Sequence, residues 1–177
     1  MNFELSEEQK MIQQNVERFV QDNYDLPKRV ELSSQDPGYS KDYWNSMAEL
    51  GWLGLPFNEE DGGFGGNQID TLVIMEQFGK GLVLEPFLAN VVLGGGAIQI
   101  GGSEELKNEM LSSLIEGSKQ LTLAYAEQQS RFDLEDVATS ARQEGDKYII
   151  NGQKSLVLNA ESADHIVVVT RTSGGQG

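Results

Sequence analysis

The sequence predicts an α+β fold, with an all-α helical bundle over residues 1–118 and a partial antiparallel β domain over residues 119–177. Three observations predict it. Apolar residues recur at helical spacing up to about Gly117, and the period then changes from 3.6 to 2. The segments from Leu121 to Glu127, Tyr148 to Ala160 and Ala163 to Arg171 are rich in β-branched and aromatic residues. Asn151-Gly152 tolerates the positive φ angles of a two-residue turn, so two strands are expected to meet there.

The first helix is announced by Ser6-Glu-Glu-Gln9, which has the form of a capping box. Met11, Ile12, Val16, Phe19 and Val20 then fall on one face, and Pro27 is expected to end the region. A second helix is predicted from about Lys41 to Leu50, burying Tyr43, Trp44, Met47 and Leu50, with Gly51 closing it. Asp61-Gly-Gly-Phe-Gly-Gly66 reads as a loop. A third helix covers about Gln68 to Phe78, with Ile69, Leu72, Val73 and Met75 facing inward. A fourth, about Pro86 to Ile100, is apolar nearly all round and so belongs at the centre of a bundle. Its Gly94-Gly-Gly96 run costs helix stability, which makes sense where another backbone or a ligand comes close. A fifth starts at Ser103 and carries Leu106, Met110, Leu111 and Leu114. Strands are expected near 120–126, 136–143, 146–151, 154–159 and 164–171. The chain stops in Ser173-Gly-Gly-Gln-Gly177, just after an apolar strand. A sheet ending there would leave edges needing cover, so the sequence reads as the front part of something longer.

The 177 residues contain no cysteine, which removes disulfides, thiol nucleophiles and Cys-based metal sites. The formal net charge of −15 argues against nucleic acid and against anionic membrane surfaces as partners. The N-terminus is acidic and lacks an apolar signal core, and no apolar run approaches the roughly 18 residues of a membrane span. A cytoplasmic protein with no membrane partner is expected. The glycine-rich loop lacks the Lys-Ser or Lys-Thr of a phosphate-binding loop and the third glycine of a dinucleotide fingerprint. Asp164 and His165, the only histidine, are neighbours on an expected strand and point to opposite faces, so they form no catalytic pair there. The acidic cluster from Asp133 to Asp136 is read as a solvated loop before a cation site, and no metal is expected. Residue chemistry alone therefore gives a bundle, a β domain and a ligand site where they meet.

The chain resembles the N-terminal and early middle regions of the acyl-CoA dehydrogenases. The words that carry the likeness are Leu5-Ser-Glu-Glu-Gln9, Leu50-Gly-Trp-Leu-Gly-Leu-Pro56, Glu60-Asp-Gly-Gly-Phe-Gly-Gly66, Met75-Glu-Gln-Phe-Gly79, Gly101-Gly-Ser-Glu-Glu-Leu106, and Asn151-Gly-Gln-Lys154 with Asn159-Ala160 and Ala163-Asp164. The resemblance implies an α domain, a β domain and a C-terminal helical domain, with FAD in a cleft between the β domain, the C-terminal helices and a neighbouring subunit. It implies fatty acid metabolism: α,β-dehydrogenation of an acyl-CoA thioester, with electron-transfer flavoprotein as acceptor. The C-terminal helical domain is absent from this sequence, so no catalytic residue is expected in it.

By motif position the resemblance places Tyr125, Ala126, Glu127, Phe132, Leu156 and Leu158 near the flavin, acting through backbone hydrogen bonds and apolar walls. The departures are as specific. Where the family has Thr-Glu-Pro and then Gly-Ser-Asp, this chain has Ala126-Glu-Gln128 and Arg131-Phe-Asp133; where the family has Trp-Ile-Thr, it has Leu156-Val-Leu158. Four lost side-chain contacts would lower flavin affinity by tens- to hundreds-fold, at about 1 kcal/mol per hydrogen bond. The pattern is similar to a subfamily of paired dehydrogenase-like subunits, the pimeloyl-CoA dehydrogenase small subunits, through Ala124-Tyr-Ala-Glu127 and the run from Arg131 to Ala141. That likeness implies a homo- or hetero-oligomer with another acyl-CoA dehydrogenase subunit and a dicarboxylyl-CoA substrate. Arg131 is then the candidate substrate residue, its guanidinium fork suited to a carboxylate or phosphate. Two other readings stay open: a non-catalytic architectural subunit of such a complex, and a related flavoprotein oxidase or monooxygenase on the same fold.

Overall fold

The computed structural model describes residues 4–175. Met1, Asn2 and Phe3, and Gln176 and Gly177 at the ends of the two expected domains, lie outside the described residues. Helix α1 (Glu7–Asn23) starts as its sequence predicts. Ser6 Oγ accepts from the Gln9 amide at 3.1 Å, and Gln9 Oε1 accepts from the Ser6 amide at 3.0 Å. The capping glutamine has a second task. Its Nε2 donates to Asp70 Oδ1 at 2.9 Å, and Asp70 Oδ2 accepts from the Asn67 amide at 2.7 Å in the capping box of α4 (Gln68–Gly81). Two helix N-termini are thereby joined through one buried hydrogen bond, each side chain satisfying orphan donors of its own helix.

Pro27 does not end the region. It sits in the first turn of a further helix, α2 (Leu26–Ser33), capped by Asp25 Oδ1 on the Lys28 amide at 2.7 Å. A proline there loses no intrahelical hydrogen bond and supplies the right φ, so it starts a helix as readily as it stops one. Helix α3 (Lys41–Glu49) buries Trp44 and Met47 as predicted, but Leu50 is exposed, and so is Met11 of α1. On α4 the inward residues are Val73, Ile74, Gln77 and Phe78, while Ile69 and Leu72 face outward. Helix α6 (Glu104–Ile115) closes the bundle with Leu111 and Leu114 fully buried. The core is an edge-to-face aromatic chain, Phe19 on Trp52, Trp52 on Phe78 and Phe78 on Phe87, with centroids 5.2–6.0 Å apart.

The predicted central helix is not a uniform α-helix. It is a π-helical segment (Leu88–Gly95) that runs into α5 (Gly96–Gly101), and its ends carry exposed Leu88 and Ile100. The glycine run serves the close backbone approach expected of it. A Cβ on Gly94 would lie 2.8 Å from Leu121 Cβ and 2.9 Å from the Leu121 carbonyl carbon. Strand β1 (Leu121–Ala124) thus lies directly on the π-helical backbone. Fully buried Asn90 reinforces the crossing, its Oδ1 accepting from the Leu121 amide at 2.8 Å.

In the β region, β1 pairs in parallel with β4 (His165–Val168), Leu121 opposite His165. The antiparallel pair is β2 (Ser140–Glu144) with β3 (Lys147–Asn151), Ser140 opposite Asn151. Arg171 links the pairs, its amide donating to Thr139 O and its carbonyl accepting from the Ala141 amide. The hairpin turn falls at Gly145-Asp146, not at Asn151-Gly152. Gly152 is needed for a different reason: a Cβ there would lie 2.5 Å from Thr139 Oγ1. The expected strand near 154–159 does not form. Leu156 and Asn159 hold φ of 53° and 57°, outside the β region.

Gly94 and Gly96 separate packing from propensity, since no atom lies within 4 Å of a Cβ built on Gly96. Gly96→Ala is expected to stabilise by about 0.5–1 kcal/mol. Gly94→Ala is expected to destabilise by about 1–3 kcal/mol through overpacking. Urea unfolding midpoints of the two variants check both signs.

Candidate flavin-facing site

Beyond Ala124 the chain leaves the sheet, and the segment from Lys154 to Asn159 runs alongside it. The Ser155 amide donates to Ala126 O at 2.9 Å. Lys154 Nζ donates to Tyr125 O at 3.2 Å and to Glu127 Oε1 at 2.6 Å. Thr122 Oγ1 donates to Leu158 O at 2.5 Å, and Asn159 Nδ2 donates to Gln120 Oε1 at 2.8 Å. These bonds bring Tyr125, Ala126, Leu156 and Leu158 into one wall. Its apolar side chains remain in solvent, with Leu156 88% exposed and Tyr125 and Leu158 about half exposed. Among the described residues the backbone amides of Ala126 and Leu158 donate to no protein acceptor. A flat ring with apolar faces and polar edges fits such a wall, through the amides and the exposed side chains together.

Glu127 does something else. Its carboxylate is buried and fully occupied, by Lys154 Nζ, by the Ala138 and Thr139 amides at 2.8 and 3.0 Å, and by Gln129 Nε2 at 2.6 Å. Burial alone would raise its pKa; the Lys154 ammonium and the donors from Thr139 and Gln129 overcome that and hold it far below the usual carboxylate range. The side chain anchors the loop of residues 128–139 and has no lone pair left for a ligand. Phe132 lies on that loop and is 99% exposed. Arg131 precedes it with φ of 49°, and it makes no ion pair among the described residues.

Sequence reasoning missed Lys154, Thr122, Gln120 and Asn159, which build the wall from behind. A lysine between a turn and an apolar run was the available signal for a buried ion pair. Asp164 is a fastening, its Oδ2 accepting from the Gln120 amide at 2.8 Å. The glycine-rich loop spends its amides on backbone: Gly63 on Asn58 O, Phe64 on Gly54 O, Gly65 on Phe57 O and Gly66 on Leu55 O. No phosphate cradle remains. A separate apolar groove of about 420 Å³ lies between α4 and the π-helical segment, bounded by Leu72, Met75, Leu88 and Val92, and no predicted site residue lines it. Among the described residues no helix is long and apolar enough to cross a membrane.

The family model for the acyl-CoA dehydrogenase N-terminal domain matches residues 6–118, and that for the acyl-CoA dehydrogenase middle domain matches residues 122–177. The chain belongs to the acyl-CoA dehydrogenase family. It is 34% identical over 176 residues to the probable acyl-CoA dehydrogenase YngJ of Bacillus subtilis, covering 98% of this chain and 46% of that protein. It is 28% identical to the caffeyl-CoA reductase-Etf complex subunit CarC of Acetobacterium woodii, covering 98% of this chain and 46% of that one. Among solved structures, the FAD complex of PigA superposes with a TM-score of 0.86 at 27% identity, covering all of this chain and 47% of PigA. The chain spans about half the length of the curated relatives it matches. Within this acyl-CoA dehydrogenase-family chain, the wall and its buried ion pair belong to the region matched by the middle-domain model.

Replacing Lys154 by Met leaves a buried carboxylate unpaired and is expected to cost about 3–5 kcal/mol. The wild-type pair also sets a pH dependence. Because the folded carboxyl of Glu127 is depressed, its contribution is complete above the ordinary carboxylate pKa of about 4.3 and is lost as pH falls below that. Denaturation midpoints from neutral pH down into the acid range should show that decline, and Glu127→Gln should flatten it.

Proposed function

We propose that the complete protein is an FAD-dependent acyl-CoA dehydrogenase and that this half supplies one wall of its flavin site. The observation that carries the reading is the surface formed by Tyr125, Ala126, Leu156 and Leu158, tied rigidly to β1 yet exposing apolar side chains and two free amides. When bound, the flavin would accept a hydride from the acyl thioester. The residues of this chain would bind and orient it: Ala126 and Leu158 by their amides, Tyr125, Leu156 and Leu158 by apolar contact that excludes water. Such contacts need no side-chain hydroxyl, which accommodates the loss of the family's Thr and Ser anchors. The division at residue 118 would then separate the bundle from the flavin-facing β domain.

We infer further that the protein is of the pimeloyl-CoA dehydrogenase small-subunit type, pairing with another dehydrogenase subunit in the cytoplasm and passing electrons to electron-transfer flavoprotein. The run from Ala124 to Ala141 supports the first part, and the naming of CarC as a subunit of an Etf complex supports the last. A dicarboxylyl-CoA substrate is supported by Arg131, a guanidinium without an ion pair among the described residues. A second reading, an architectural subunit without its own flavin, is favoured by one observation. The Glu127 carboxylate, at a flavin-strand position, is consumed internally.

Leu158→Asp in the full-length protein separates these readings. Leu158 is half exposed, so stability should change by no more than about 0.5 kcal/mol. Flavin affinity, measured by titration of the apoprotein, should fall at least about tenfold on placing a charge against an apolar ring. A full-length protein that purifies without flavin and takes none up would support the architectural subunit. Arg131→Ala should raise the KM for a dicarboxylyl-CoA and leave that for the matching monocarboxylyl-CoA unchanged; equal KM values for wild type and variant would remove Arg131 from the substrate site.

A further inference from the structure

The segment from Lys154 to Asn159 is held in a conformation its residues do not favour. Leu156 and Asn159 both occupy the left-handed region, at φ of 53° and 57°, which is uphill for a residue bearing a Cβ. Leu156 also points a large apolar side chain into solvent. The two backbone outliers persist only where surrounding structure over-determines them, and such outliers gather where a ligand is clamped.

The over-determination comes from residues behind the wall. Thr122 is completely buried on β1, and its hydroxyl takes the Leu158 carbonyl at 2.5 Å, fixing the peptide plane after Leu158. One residue on, the Asn159 side chain reaches Gln120 Oε1 at 2.8 Å, while Gln120 Nε2 donates to Tyr39 Oη at 2.7 Å. At the other end the Ser155 amide is held on Ala126 O. Both ends of Leu156-Val-Leu158 are therefore fixed, and between them the Val157 carbonyl accepts only from the Ala160 amide, at 3.4 Å.

We propose that Thr122 and Asn159 are positioning residues for the flavin-facing segment, setting the orientation of Leu156 and Leu158 without touching the ligand. The inference rests on the flavin reading above. The geometry runs from the helical bundle outward: Tyr39 braces Gln120, Gln120 braces Asn159, and Thr122 locks the carbonyl before it.

The test uses full-length protein and its Thr122→Ser, Thr122→Val and Asn159→Gly variants. Thr122→Val keeps the shape and removes the donor; Thr122→Ser keeps the donor. Asn159→Gly relieves the positive φ while deleting the side-chain link, so it folds even where the valine variant does not. Thr122→Val and Asn159→Gly are each expected to weaken FAD binding about tenfold, and Thr122→Ser to stay within about twofold of wild type. Amide hydrogen exchange should accelerate over residues 156–160 in the two weakened variants and remain unchanged in β2 and β3. Unchanged FAD affinity in Asn159→Gly and Thr122→Val overturns the proposal. So does an equal loss in the serine and valine variants, or exchange rising across the whole β region. A wild-type protein that binds no flavin at all overturns the functional reading itself, and this assignment with it.

Discussion

The β region depends on one crossing, where β1 lies against the backbone of the π-helical segment at Gly94. No side chain separates the two main chains, and Asn90 ties them with a hydrogen bond from inside the helix. This contact sets where β1 leaves the bundle, and so where Thr122 faces and where the chain beyond Ala124 emerges. β4 pairs with β1, and the segment carrying Leu156 and Leu158 is fastened to it. A shift of β1 along the helix would move every group of the candidate site together. Close packing makes such a shift costly, because interiors at this density respond to even one added methyl group.

The wall built on that crossing is polar behind and apolar in front. Behind it, the carboxylate of Glu127 and the ammonium of Lys154 are both buried. The desolvation this requires is offset by three further donors to the carboxylate. The pair also fixes geometry. It holds the loop of residues 128–139 on one side and the start of the Leu156 segment on the other. In front, leucines stand where the family has a stacking ring and a hydroxyl. Under the proposed reading, recognition of a ring there would fall to backbone amides held by these tie points.

Much of the bundle was legible because its signals are local. The capping box at Ser6 and Gln9 involves four consecutive residues, and a helix N-terminus has few other ways to satisfy its amides. The close approach at Gly94 was legible because glycine costs helix stability unless something must pack there, although Gly96 of the same run meets nothing within 4 Å. What was not legible depended on distant partners. Pro27 has two meanings, and only Asp25 as a cap decides between them. The buried face of α4 is not legible from composition, because exposed Ile69 and Leu72 are as apolar as the residues that are buried. Asn151-Gly152 looked like a turn, but the strand expected after it is prevented by bonds to Thr122, Gln120 and Glu127, which lie 27–39 positions away. The resemblance named Tyr125, Ala126, Leu156 and Leu158, and the structure brings them to one stretch of the β region. It could not show that the Glu127 carboxylate turns inward, since that follows from Lys154 and the amides of a loop.

The central claim is that this wall receives a flavin ring. The most direct measurement is a crystal structure of the full-length protein with FAD bound. The account predicts the ring against Tyr125, Leu156 and Leu158, with the Ala126 and Leu158 amides at about 2.9 Å from its polar edge. A ring bound elsewhere, or a wall covered by the protein's own side chains in the complete chain, would contradict it.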